Sequence, residues 1–200
     1  MSVRAIIEVP DPLLKTISAP VAEVGDDTRA LMDDMLETMY DANGIGLAAI
    51  QIGVAQRIIV MDISQSYSED EAANKADAED ENDEEAAEAR RLRDLLKDEK
   101  PRFFVNPEII WTAEEMRNYQ EGCLSVPGFY DDVARPAQCK VKFLDYDGQP
   151  QEIDCDGLLA TCIQHEMDHL NGIVFLDHLS RLKRQMALKK LKKATQSASV

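Results

Sequence analysis

His165, Glu166 and His169 fall within five residues of one another in the run LLATCIQHEMDHLNG. On a helix, residues four apart stand one above the other, so His165 and His169 can grip a single metal ion. Glu166 lies one position off that row, which suits a base acting on a water that the ion activates better than it suits a ligand. The chain contains only 3 histidines in 200 residues, so finding two of them in one pentapeptide is a concentration and not background. The third, His178, reads as an ordinary exposed or half-buried residue.

A catalytic tetrahedral site takes three protein ligands and leaves one position open. Downstream of the histidines, Asp177 and His178 are candidates for the third ligand, although both stand at the start of what reads as a separate helix. Upstream, Cys123 in QEGCLSVPG follows Gly122, which lets backbone come close to an ion. It precedes the β-favouring Leu124-Ser125-Val126 and an expected Pro127-Gly128 turn. Residue types and spacing alone leave these choices open. Leu158, Thr161, Cys162, His165 and His169 recur at intervals of three and four, so they share one helical face, which lines any cavity the substrate enters. Asp168 points to another side of the helix and reads as structural.

GIGLAAIQIG at 44–53, EGCLS at 121–125 and QHEMDH at 164–169 resemble, in order and separation, the three signature motifs of peptide deformylases. The resemblance extends over most of residues 4–180, with VPDPLL, NPEI and GLLATCIQHEMDHLNGIVFLD adding to it. It implies that Cys123, His165 and His169 hold one divalent ion, iron(II) in the cell, with zinc, nickel or cobalt able to replace it. A metal-bound thiol is deprotonated, so Cys123 would then be a thiolate ligand and not a nucleophile. The implied reaction is removal of the formyl group from the N-terminal formylmethionine of newly made proteins, with release of formate. Glu166 would be the general base, and the Gln51 side chain and Leu124 N–H the donors to the oxyanion. Glu121 would orient a histidine ligand. Ile45, Leu158 and Cys162 would wall the methionine pocket, and the backbone of Ile45, Gly46 and Leu47 would run beside the peptide as an added strand. A peptidase using the same histidine motif, and a metal-stabilised binding protein, are the competing readings.

The glycines of NGIGLAAIQIG fit neither a dinucleotide fingerprint nor a phosphate loop, which excludes a nucleotide site there. Gln51 is a polar group set among Leu47, Ala48, Ala49, Ile50 and Ile52, and is expected to serve a purpose if buried.

Positioning these groups requires a core, and the chain reads as one domain, residues 1–180, of the α+β class. RIIVMDI, PRFFVNPEII, CKVKFLDY and QEIDC read as strands of antiparallel sheets, and DDTRALMDDMLETMYDAN as an amphipathic helix with acidic residues in its first turn. The resemblance adds that the HEMDH helix is central and packed by those sheets. An acidic insert at about 65–100 interrupts the domain, where the family has a short connection. From Glu69 to Glu88 it carries eleven acidic residues and one lysine, most of the net charge of −16. A solvated, partly disordered segment is the expectation.

Residues 181–200 form a basic tail, in which SRLKRQMALKKLKKA carries seven Lys or Arg with Leu182, Met186, Leu188 and Leu191 at helical intervals. A C-terminal helix is expected there, either packed on the domain or attracted to ribosomal RNA. Neither a membrane nor DNA is an expected partner. Cys139, Cys155 and Cys162 show no paired spacing, and nothing at the amino end reads as a signal peptide, so a reducing, cytoplasmic location is expected. Cys139 and Cys155 read as small buried apolar residues.

Overall fold

The computed structural model describes residues 2–66 and 101–198, with side chains placed for 2–64 and 101–192. The acidic insert falls almost wholly outside the described residues.

A five-stranded antiparallel sheet has the order β1-β2-β3-β6-β7, formed by β1 (Gly46–Ala48), β2 (Ile58–Met61), β3 (Arg102–Thr112), β6 (Gln138–Leu144) and β7 (Pro150–Asp156). A second sheet is the hairpin of β4 (Met116–Cys123) and β5 (Val126–Pro136). Three helices pack on these sheets among the described residues: α1 (Asp26–Asp41), α2 (Gly157–Leu170) and α3 (Arg181–Ala198).

The period-two alternation of a strand sends successive side chains to opposite faces. In β2, Ile58 and Val60 meet Met32, Met35 and Met39 of α1, whereas Ile59 and Met61 meet Ile163 and Met167 of α2. Both faces are covered, which is why Ile58-Ile59-Val60-Met61 is an unbroken apolar run. Polar residues would be buried on either side.

The strands expected over RIIVMDI, PRFFVNPEII, CKVKFLDY and QEIDC are present, as is α1. Strand β3 runs on to Thr112 and absorbs Pro107 at a break in register between Val105 and Glu108, where Asn106 has φ 52°. A proline without an N–H fits a strand only at such an irregularity or an edge.

One expectation needs correction. Pro127 and Gly128 lie inside β5, and the turn is at Leu124-Ser125, with Cys123 directly opposite Val126. Few residues of Met116–Cys123 are buried, so the strand lacks the alternating apolar pattern that marks a half-buried one.

Helix α3 also departs from its expected face. Ala187 and Leu191 are buried against Leu14, Val126, Val133 and Phe175, while Leu182 and Met186 are 69% and 61% exposed. Lys183 pairs with Asp131, Arg184 with Asp177, and Lys190 donates to the Gly128 carbonyl, so charged contacts help to set the rotation of the helix.

Candidate active site

Helix α2 starts where the Asp156 carboxylate accepts the Gly157 N–H at 2.6 Å, and it touches β1, β2, β5, β6 and β7. Buried residues occupy most of its circumference: Ala160, Cys162, Ile163, Gln164, His165, Glu166, Met167, His169 and Leu170. A helix buried on most sides belongs to the interior, so the His and Glu side chains it carries are taken out of water.

The hairpin supplies the third group. Cys123 ends β4 beside the two-residue turn, and its Sγ lies 3.2 Å from His169 Nε2. Candidate ligand atoms of Cys123, His165 and His169 all lie within 4.8 Å of one another. The downstream alternatives do not join them. Asp177 pairs with Lys15 and Arg184 and accepts the Val174 N–H, while His178 Nε2 is 2.7 Å from Asp168.

His165 Nδ1 sits 2.8 Å from Glu121 Oε2, which leaves Nε2 for an ion. Glu121 in turn receives Arg135 Nε at 2.5 Å and an Arg135 terminal nitrogen at 3.0 Å. Arg135 also donates to Asp168 at 2.9 Å. Burial pushes the Glu121 carboxyl up, but hydrogen bonds from His165 and Arg135 outweigh it and hold the group at about 2. Asp168 therefore has a structural contact, and His178 has a carboxylate partner. Arg135 was not legible in the sequence: an arginine in VARP carries no mark of burial.

Glu166 is 4% exposed, and its Oε2 has no hydrogen-bond partner. Burial raises its carboxyl to about 7 against the opposing pull of His165. An unpartnered buried carboxylate oxygen next to three clustered Cys and His donors fits a site made to hold a divalent ion with a water beside it. His169 Nδ1 is the other buried atom of the site without a partner.

Gly46 explains how Glu166 is accommodated. A Cβ at residue 46 would stand 2.6 Å from Glu166 Oε1 and 2.9 Å from Cys162 Sγ, so any larger residue would require these two side chains to shift. Gly122 does the same for the hairpin, since a Cβ there would run into the Tyr130 ring.

Gln51 lies in the helical turn Ala49–Ile52 that follows β1 and is 1% exposed. Its Oε1 accepts the Ala48 N–H at 2.8 Å, which orients the amide. The amide nitrogen then faces Ser125 Oγ at 3.1 Å and Cys123 Sγ at 3.7 Å.

These groups open onto a cleft of about 840 Å³ lined by Ile45, Gly46, Gln51, Cys123, Leu124, Leu158, Thr161, Cys162, His165 and Glu166, and also by Glu8, Tyr119, Phe129 and Tyr130. Burial raises the Cys162 thiol well above its usual range, so Cys162 presents an uncharged wall. Leu47 is not brought to the cleft by its side chain, which is buried in the α1 cluster. The aromatic residues of the hairpin were missed, because exposed tyrosines in a strand without alternation give no signal.

Cys139 and Cys155 are buried, as expected. The structure adds that they lie directly opposite each other across β6 and β7 as free thiols. No helix of the described residues is long and apolar enough to cross a membrane.

Residues 3–185 match the family model described as polypeptide deformylase. A peptide deformylase of Erythrobacter litoralis is 55% identical over 203 aligned residues, covering 99% of this chain and 100% of that protein. One from Phenylobacterium zucineum is 50% identical over 198 residues, with coverage of 99% and 100%. Among solved structures, the peptide deformylase of Ehrlichia chaffeensis superposes with a TM-score of 0.81 at 38% identity, each chain covered completely. A structure of an Ehrlichia chaffeensis peptide deformylase in complex with actinonin gives 0.79 at 41% identity, covering 97% of this chain and 98% of that one. Sequence match and fold agree over nearly the whole length, and the chain belongs to the polypeptide deformylase family.

Proposed function

We infer that this protein hydrolyses the formamide at the N-terminal formylmethionine of newly made polypeptides, giving formate and a free amine. The observation that carries the reading is the buried, unpartnered carboxylate of Glu166 beside the clustered Cys123, His165 and His169.

Cys123, His165 and His169 are the residues that would hold a divalent ion. A mixed thiolate and imidazole set takes several first-row metals, with iron(II) proposed as the native one and zinc, nickel or cobalt as substitutes. A bound ion would supply Lewis-acid chemistry for attack of water on the formyl carbonyl. Glu166 accepts a proton from the attacking water and returns it to the leaving amine. The Gln51 amide, fixed through its oxygen by Ala48, and the Leu124 N–H donate to the developing oxyanion, each such donor contributing about 3 kcal/mol. Glu121, gripped by Arg135, keeps the His165 ring turned toward the ion.

Among the described residues strand β1 pairs only with β2 and ends the sheet, so its other edge is available to an extended peptide. The substrate adds there as a strand along the backbone of Ile45, Gly46 and Leu47, gripped through main-chain bonds. Ile45, Leu158 and Cys162 receive the methionine side chain.

The domain division proposed is a catalytic unit over residues 1–180 interrupted at about 65–100, followed by the basic tail. The tail is a proposed contact for ribosomal RNA, supported by the basic residues of α3. The proposed location is the cytoplasm.

The test is product analysis on formyl-Met-Ala-Ser. Formate release with an intact Met–Ala bond is expected, and actinonin, bound by the Ehrlichia protein, is expected to block it. Cleavage between Met and Ala would make the protein a peptidase. No turnover by metal-loaded protein would leave a binding role.

A further inference from the structure

The N-terminal segment passes beside the site and enters a turn at Glu8, whose carbonyl accepts the Asp11 N–H at 3.0 Å. The Ile7 N–H donates to the Gln51 carbonyl at 2.7 Å, and the Val9 N–H donates to the Ser125 carbonyl at 2.9 Å, so residues 7–9 are stitched to both the turn after β1 and the hairpin turn. Ile7 and Val9 pack into the cluster around Phe175. Glu8, between them, lines the cleft, is exposed, and has no hydrogen bond or ion pair from its carboxylate among the described residues.

The other acidic residues that line the cleft, Glu121 and Glu166, are buried. Glu121 is bound by Arg135 and His165. Among the described residues, no lysine or arginine lines the cleft. Among the described residues, Glu8 is therefore the exposed charged group that lines the cleft, and the exposed rings of Tyr119 and Tyr130 line the same cavity. Carboxylate and phenol faces both attract a cation. A formylated peptide has no amino-terminal charge, so the cation has to come from a side chain. A cleft of about 840 Å³ holds several residues of an extended peptide, enough to bring such a side chain to the wall.

We propose that Glu8 is a specificity-determining residue, selecting formylmethionyl peptides with a lysine or arginine among the three residues after the methionine. The proposal rests on the deformylase reading. Glu8 touches neither the reacting atoms nor a candidate metal ligand, so its effect belongs in KM and leaves kcat unchanged. An exposed ion pair is weak and screened by salt, which sets the expected preference at about two- to fivefold at low ionic strength.

The experiment measures formate release from formyl-Met peptides with Lys, Gln or Glu placed in turn at positions two, three and four. Wild type, Glu8→Gln and Glu8→Lys are compared at low and high salt. Expected for wild type is a lower KM for Lys than for Glu at one position, about two- to fivefold. The preference is lost in Glu8→Gln, reversed in Glu8→Lys and reduced by salt. Good turnover of the Gln peptides with equal KM for Lys and Glu at every position would overturn this inference and leave the deformylase reading intact. A wild-type preference that persists unchanged in Glu8→Lys would assign it to another residue and also overturn the inference. Absence of formate from every peptide would overturn the deformylase reading, and this inference with it.

Discussion

Arg135 grips both oxygens of Glu121, with contacts of 2.5 and 3.0 Å, and Glu121 Oε2 lies 2.8 Å from His165 Nδ1. One buried arginine thus controls the orientation of a candidate ligand that it does not touch. Removing one partner of a buried pair strands the other charge, at a cost of about 3–5 kcal/mol. Arg135→Ala is expected to lower unfolding stability by about that amount, and to weaken metal binding by about ten- to a hundredfold through the loosened imidazole. Urea unfolding and competitive metal titration check both. Unchanged metal affinity would mean that Glu121 keeps its pose without the arginine.

Gly46 is the point where strand and helix meet most closely. Gly46→Ala would place a methyl 2.6 Å from Glu166 Oε1, so kcat on formyl-Met-Ala-Ser should fall by an order of magnitude or more, about 1.4 kcal/mol per tenfold, without global unfolding. Gly25→Ala is the control, because nothing lies within 4 Å of a Cβ there. Equal kcat for Gly46→Ala and wild type would show that Glu166 has room to move aside.

Much of this was legible in the chain. His165 and His169 announce themselves by spacing on a helix, and the apolar run at Ile58–Met61 announces a strand, although not that both its faces are covered. Cys123 was only a weak candidate on residue grounds, because its partners lie 42 and 46 positions away and proximity of that kind comes from folding. The hairpin β4–β5 stayed hidden for the same reason as Arg135: it is held by pairing and ion contacts, which leave no periodic trace. The face of α3 was misread since Leu182 and Met186 satisfy helical spacing, yet the salt bridges of Lys183 and Arg184 help to turn them outward.

Asp177 ties three segments together through Lys15, Arg184 and the Val174 N–H. Burial raises its carboxyl, but these bonds outweigh it and the net shift is downward. A folded-state value below the unfolded one gives stability that is present above the unfolded pKa of about 3.9 and is lost as pH falls through the folded one. Asp177→Asn should therefore destabilise the protein at pH 7, with the gap to wild type closing below about pH 4. A gap that stays constant from pH 7 to pH 3 in urea unfolding would contradict this.

The thiolate and imidazole donor set makes a second prediction about the ion. Protein loaded with iron(II) should lose deformylation activity in dilute peroxide, since iron(II) and its thiolate are both oxidisable, and nickel-loaded protein should lose it more slowly. Time courses of residual activity with matched metal content decide the matter, and equal decay would separate the inactivation from the metal.

The most direct test measures metal content and turnover together in two variants. Glu166→Ala should retain near-stoichiometric metal while kcat falls by a factor on the order of a hundred or more, because it removes the acid–base group and leaves Cys123, His165 and His169 in place. Cys123→Ala should lose metal affinity as well as activity. A Glu166→Ala protein that cannot hold metal, alongside a Cys123→Ala protein that can, would contradict the assignment of base and ligand on which the account stands.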